Sequence, residues 1–176
     1  MGSVIYDHYT IEDANQSIIE PITENMVKND LKVEESYDAN TAVIGTYITT
    51  ARNMIENHLN CVVVSRIFTT IQTGYIQRVQ LKTPIVSISS VIVTDDSDNV
   101  ITLSSDEYLL SRLTGILVLD VDYQTKRIEV EYRAGMDDIP SAIQQGCLRV
   151  VRDLYSGIQV DISTVKELEI YRSLPI

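Results

Sequence analysis

Tryptophan is absent from this 176-residue chain, phenylalanine occurs once, and cysteine and histidine occur twice each. Cys61 and Cys147 sit among aliphatic neighbours such as Val62, Val63 and Leu148. Two buried free thiols are therefore expected, with a disulfide as the less favoured alternative. With only His8 and His58 to join the cysteines, no cluster has metal-ligand spacing, and no metal or other cofactor is expected. No apolar run approaches the ~20 residues of a membrane span. The opening residues, Met1-Gly2-Ser3-Val4-Ile5-Tyr6-Asp7-His8, lack the basic flank and continuous apolar stretch of a secretory signal. A soluble protein assembled in the cytoplasm, without a membrane partner, is the expectation.

Basic residues are also in short supply. Lysine and arginine number 14 against 25 carboxylates, a net charge of −11. Proteins that wrap nucleic acid neutralise phosphates with cations, so this balance argues against tight DNA or RNA binding. The ten tyrosines are better explained by core and interface packing than by base stacking, which relies on phosphate attraction. Sequences of the Gly-x-Gly-x-x-Gly, Gly-Lys-Ser/Thr, Gly-x-Ser-x-Gly and His-Glu-x-x-His types are missing. Nucleotide and hydrolase chemistry thereby lose their usual handles, and no catalytic residue is assigned.

What is present suits one ordinary domain with extensions. Residues 1–22 form an acidic leader without sustained periodicity. The first forty residues carry nine carboxylates against Lys28 and Lys32, which a solvated extension, ordering only against a partner, accounts for. The core is expected over 23–157. A short helix is predicted from Thr23 as N-cap to about Asp30, with Glu24 in its first turn. A stronger helix follows Asp38, carries Ile44, Tyr47, Ile48, Ala51, Ile55 and Leu59 at three- and four-residue steps, and ends at Asn60. His58, near that end, is read as a capping or packing residue.

From 62 to 133 the pattern turns to β-branched runs broken by turn residues: Val62–Gln72, Tyr75–Leu81, Val86–Thr94, Val100–Leu103, Tyr108–Ser111, Ile116–Val121 and Arg127–Tyr132. A mainly antiparallel β-region is expected, and alternation of Ile128, Val130 and Tyr132 with Glu129, Glu131 and Arg133 marks one buried face. The third helix is predicted over about 140–156. Pro140 lies in its first turn, Asp137 and Asp138 lie near its positive end, Ile143, Cys147, Val150, Val151 and Leu154 face inward, and Gly157 ends it. The fold class is α+β: a small helical bundle with an antiparallel β-region and extended arms.

Residues 158–176 are too few for a domain and too apolar for a solvent tail. They are expected to dock on a neighbouring protein through Ile158, Val160, Ile162, Val165, Leu168, Ile170, Tyr171 and Leu174. Asp95, Asp96 and Asp98 lack the fixed glycine and distal glutamate of a calcium-binding hand, and a hairpin tip explains them.

The stretch Leu81-Lys82-Thr83-Pro84-Ile85-Val86-Ser87-Ile88-Ser89-Ser90-Val91 resembles the head-tail connector (adaptor) proteins of tailed bacteriophages. In that family a proline-bearing strand start leads into a Val-x-Ser-Val-like strand. The order of later segments is similar too: Asp106-Glu107-Tyr108, the Gly115 turn into Ile116-Leu117-Val118-Leu119, Ile128-Glu129-Val130-Glu131-Tyr132-Arg133-Ala134-Gly135-Met136, and Ile139-Pro140-Ser141-Ala142-Ile143. With the helix around 42–59, the likeness spans about two-thirds of the chain. It departs from the family at Asn60, where glycine is common, in the missing tryptophan before the last strand, and in the length of the acidic leader. The resemblance implies a dodecameric ring beneath the portal of the head, in the virion neck, extending the DNA channel and carrying the next neck or tail-completion component. DNA would pass without tight binding. On that expectation Asp95, Asp96, Asp98, Asp120 and Asp122 face the channel or the next ring, and 158–176 clasps the portal or an adjacent subunit. Two alternatives are another neck or tail-completion ring protein and a small ligand-binding or enzymatic α+β module.

Overall fold

The computed structural model describes residues 8–33, 41–74, 77–120, 125–162 and 166–172. The fold is α+β, and the chain divides into two compact units. One comprises Met1–Ser17 and Ser65–Met136, the other Ile18–Val64 and Asp137–Ile176.

The first unit contains, in chain order, strands β1 (His8–Glu12), β2 (Arg66–Thr73), β3 (Arg78–Gln80), β4 (Ile85–Asp95), β5 (Val100–Thr102), β6 (Tyr108–Ser111), β7 (Ile116–Leu119) and β8 (Thr125–Ala134). They form a five-stranded sheet in the order β1-β2-β8-β4-β5 and a three-stranded sheet in the order β3-β7-β6. Every pairing is antiparallel. The alternation predicted for β8 is realised, with Ile128, Val130, Tyr132 and Ala134 buried and Glu131 and Arg133 exposed. Val91 and Val93 of β4 and Phe68 of β2 are buried with them. The Phe68 ring lies tilted against Tyr132, with centroids 5.9 Å apart.

A buried tyrosine hydroxyl is costly unless it is hydrogen-bonded. Tyr132 Oη accepts from the backbone N–H of Lys82 at 3.0 Å and bonds Thr70 Oγ1 at 3.1 Å. Thr70 Oγ1 in turn bonds Thr10 Oγ1 at 2.8 Å. One polar chain thus joins β1, β2, β8 and the β3–β4 link through the sheet.

Several strand limits differ from those expected: β3 covers only Arg78–Gln80, β5 ends at Thr102 and β7 at Leu119, with Tyr75 and Val121 outside the described residues. The first β-run begins at Arg66 rather than Val62, and ahead of it the N–H groups of Val63 and Val64 donate to Glu56 Oε1 at 2.8 and 3.3 Å. The leader is not wholly without structure, since His8–Glu12 adds β1 to the edge of the larger sheet. Gln16 then continues that edge through its side chain: its Oε1 accepts from Ile67 N at 2.6 Å, and its Nε2 donates to Ile67 O at 3.2 Å. The amide imitates one more strand residue.

The second unit packs α1 (Glu24–Leu31), α2 (Thr41–Leu59), α3 (Ser141–Tyr155) and a 3-10 helix (Lys166–Tyr171). Thr23 caps α1 as predicted, accepting from Met26 N at 3.3 Å. Asp38, the expected cap of α2, lies outside the described residues. Ile44, Ile48, Ala51, Ile55 and Leu59 of α2 are buried with Ile143, Cys147, Val150 and Val151 of α3. Pro140 stands as the N-cap of α3, one position before the first turn. Its carbonyl accepts from Ile143 and Gln144. Each helix ends in a left-handed residue, Lys32, Asn60 or Gly157, and a backbone bond back over the last turn: Val33 N to Lys28 O, Cys61 N to Glu56 O, and Ile158 N to Asp153 O. Arg52, almost wholly buried, pairs with Glu20 at 2.9 Å and Glu56 at 3.1 Å. Losing either partner leaves part of a buried charge uncompensated.

Gly115 turns β6 into β7 with φ +72°, and an added Cβ would lie 2.5 Å from Leu81 O and 2.6 Å from Thr83 Cγ2. Leu81 N also donates to Gly115 O at 2.8 Å, so that backbone cannot retreat without losing the bond. Gly115→Ala is expected to destabilise the protein by about 2–3 kcal/mol in urea unfolding.

Candidate functional site

The 158–172 segment is partly docked within its own unit. Leu168 is completely buried. Its two δ-methyls lie 3.2 and 3.3 Å from where a Cβ on Gly146 would stand, and Ile55 Cδ1 is 3.4 Å from the same point. Glycine therefore opens the notch in α3 that takes the leucine. Beside it, His58 Nε2 and Glu169 Oε1 are 2.8 Å apart, and Arg172 approaches Glu169 Oε2 at 3.4 Å. The His58 bond, aided by Arg172, holds the exposed Glu169 carboxyl below its ordinary range. His58 therefore packs near the helix end, as expected, while its carboxylate partner across 111 residues of sequence had no local signal.

The expected docking residues separate accordingly. Leu168 is buried against the chain's own helices. Ile158 and Ile170 are 60% and 79% exposed, while Val160, Ile162 and Tyr171 are partly exposed. Val165 and Leu174 lie outside the described residues. The segment thus has one inward anchor and several outward apolar groups.

Asp95, Asp96 and Asp98 come together at the β4–β5 turn. Asp95 Oδ1 accepts from Ser97 N at 2.8 Å and Asn99 N at 2.9 Å, and its Oδ2 accepts from Asn99 Nδ2 at 2.8 Å. Those bonds, led by Asn99, lower the Asp95 pKa and keep it ionised. Asp98 pairs with Lys126 at 2.7 Å. Asp120 is placed apart from them, after β7, with its N–H donating to Glu107 O at 2.9 Å. Asp122 lies outside the described residues.

Sequence reasoning did not single out the exposed apolar groups of the first unit, which include Leu109 on β6 and Ile11 on β1 as well as two at turns. Leu113, at the β6–β7 tip, is 90% exposed, and Val100, beside the aspartates, is 69% exposed. The signal was available for Leu113, since a large apolar residue stood inside the turn Arg112-Leu113-Thr114-Gly115. Burial raises the thiols of Cys61 and Cys147 to about 11 and about 12, removing them as nucleophiles. Among the described residues no group of three or more histidines, cysteines or carboxylates forms a metal site, and no helix is long and apolar enough to cross a membrane.

No protein-family model matches the chain, and no curated protein does. Solved structures do. A chain in the virion of a native gene transfer agent particle is similar with a TM-score of 0.70 at 14% identity, over 95% of this chain and 96% of that one. A chain in the neck of an empty gene transfer agent particle, computed with C6 symmetry, has a TM-score of 0.63 at 13% identity, over 92% and 97%. The likeness is one of fold and extends through nearly the whole of each chain.

Leu168→Ala is expected to cost about 2–4 kcal/mol in denaturant unfolding, and Ile170→Ala less than about 0.5 kcal/mol. Protonating Glu169 loosens the same contact. Its folded pKa is depressed from the ordinary 4.5, so the carboxylate's contribution is complete above that value and lost as pH falls through the lower folded one. Hydrogen-exchange protection in 166–172, measured against the intrinsic rate at each pH, should fall in that acid window, and Glu169→Gln should remove this pH dependence.

Proposed function

We propose that this chain is a structural head-tail connector subunit, repeated as a ring in the neck of a tailed, phage-like particle. The observation that carries the reading is the whole-length likeness to chains of a gene transfer agent virion and its neck, one of them computed with sixfold symmetry. The segment order that resembles phage connectors supports it from the sequence side. In this reading the chain sits beneath the portal, joins it to the next neck or tail-completion component, and continues the DNA channel.

The chemistry fits a passive tube. A net charge of −11 repels phosphates within a Debye length, about 8 Å at physiological salt. DNA then slides past without being held, and no catalytic step is required of any residue. Docking on the portal or an adjacent subunit falls to the outward groups of 158–172, chiefly Ile158 and Ile170. Two exposed aliphatic residues suit a contact that forms on arrival and is weak in the isolated chain.

Incubating the purified chain with DNA-filled heads that carry portals, and separately with tail tubes, tests this function. Co-sedimentation with the heads is expected, with Ile170→Asp weakening it about tenfold or more while leaving the melting temperature unchanged. Binding to tail tubes alone would move the protein to the tail-completion side of the neck. Binding to neither, or retention of free DNA at low salt, would overturn the reading.

A further inference from the structure

The first unit has opposite charge at its two ends. β4, eleven residues long, separates the ends by about 30 Å. At the end where β4 begins, the β6–β7 tip lies against the β3–β4 link, since Leu81 N donates to Gly115 O. Lys82, Arg112 and Arg133 are exposed there. Arg66 stands with them, over the Phe68 ring at 5.4 Å while Lys82 lies over it at 5.9 Å. Arg66 is itself buried and neutralised by Glu12 at 2.9 Å, so among the first unit's residues the exposed cations Lys82, Arg112 and Arg133 stand at this end with the exposed carboxylate Asp13. Where β4 stops, Asp95, Asp96 and Asp98 face Lys126, while Arg127, opposite Thr94, pairs with Glu129 at 2.8 Å. Asp106, Glu107 and Asp120 lie at the far end of the three-stranded sheet from Leu113.

Each end also presents a bare apolar side chain, Leu113 on the basic tip and Val100 beside the acidic one. A large aliphatic residue so exposed on a turn is a natural anchor for a contact. We infer that the basic β6–β7 tip of one copy docks on the acidic β4–β5 tip of the next, Leu113 meeting Val100 and Arg112 meeting the aspartates. This rests on reading the chain as a ring subunit and deepens it by naming the face each copy offers its neighbour. Charge selects the geometry: basic against basic and acidic against acidic both repel, so a two-fold contact of either tip with itself is disfavoured. The attractive arrangement is head to tail, which generates a ring when the rotation closes. The aspartates then serve the contact between copies instead of lining the channel.

Full-length chains carrying Leu113→Cys and Val100→Cys test this, because both native thiols are buried and leave the new ones to report. Mixed under mild oxidation at low salt, the two variants should form a disulfide-linked dimer about tenfold or more faster than either does alone. High salt should abolish the difference. Arg112→Glu in the first chain, or Asp96→Arg in the second, should remove the preference, and the two reversals together should restore it. Like-with-like dimers forming as fast as mixed ones, an unrestored double reversal, or a tip that cross-links to DNA or a different protein and not to a second copy would overturn the inference. A chain that binds portal-bearing heads but fails this pairing loses only the proposed contact. One that pairs head to tail but binds neither heads nor tails loses the function instead.

Discussion

Backbone groups in a buried strand have no water to fall back on, and the larger sheet depends on how β8 meets that constraint. It lies between β2 and β4 and pairs with both nearly end to end. The side chain of Tyr132 extends the same logic, since its hydroxyl reaches Thr70 and the N–H of Lys82. Anchoring Lys82 fixes where the β3–β4 link leaves the core, and with it the Gly115 tip packed against Leu81 and Thr83. The location of Leu113 and Arg112 therefore follows from a hydrogen bond made at a buried ring.

The carboxylate excess is not one undifferentiated surface. Glu56 is spent inside the second unit, on Arg52 and on two backbone amides, where it ends one element and starts the next segment. Asp30 accepts from Arg152 in a fork, at 2.6 and 2.7 Å to one nitrogen and 3.1 Å to Nε, tying α1 to α3. Asp95 folds its own turn. What remains exposed is mainly acidic, with Lys82, Arg112 and Arg133 clustered at one end of the first unit as the exception.

Residues 158–172 combine two tendencies within a few positions. The three-residue turn of a 3-10 helix sends neighbours to different sides, so Leu168 enters the Gly146 notch while Ile170 faces out. A segment held by one leucine and one exposed ion pair is tethered near its target but weakly enough to readjust on contact. Under the proposed docking role, a partner would find the outward residues close to their working positions, which lowers the ordering cost of binding.

Local patterns were enough to specify the three α-helices and most of the strands. The stripe Ile44-Ile48-Ala51-Ile55-Leu59, the alternation along 127–133, Thr23 as a cap, and Asn60 and Gly157 as left-handed stops are all short-range consequences of side-chain shape and backbone preference. Long-range geometry was not legible in them. The two-sheet arrangement, the recruitment of His8–Glu12 as an edge strand, the His58–Glu169 pair and the burial of Leu168 each join residues far apart in the chain, and no neighbouring residue encodes such a partner. Periodicity says only that a face is apolar; which surface covers it is decided when distant segments compete for it. Short-range pattern therefore accounts for the three α-helices and most strands, whereas the apolar and charged groups that face outward were settled only when distant segments packed against each other.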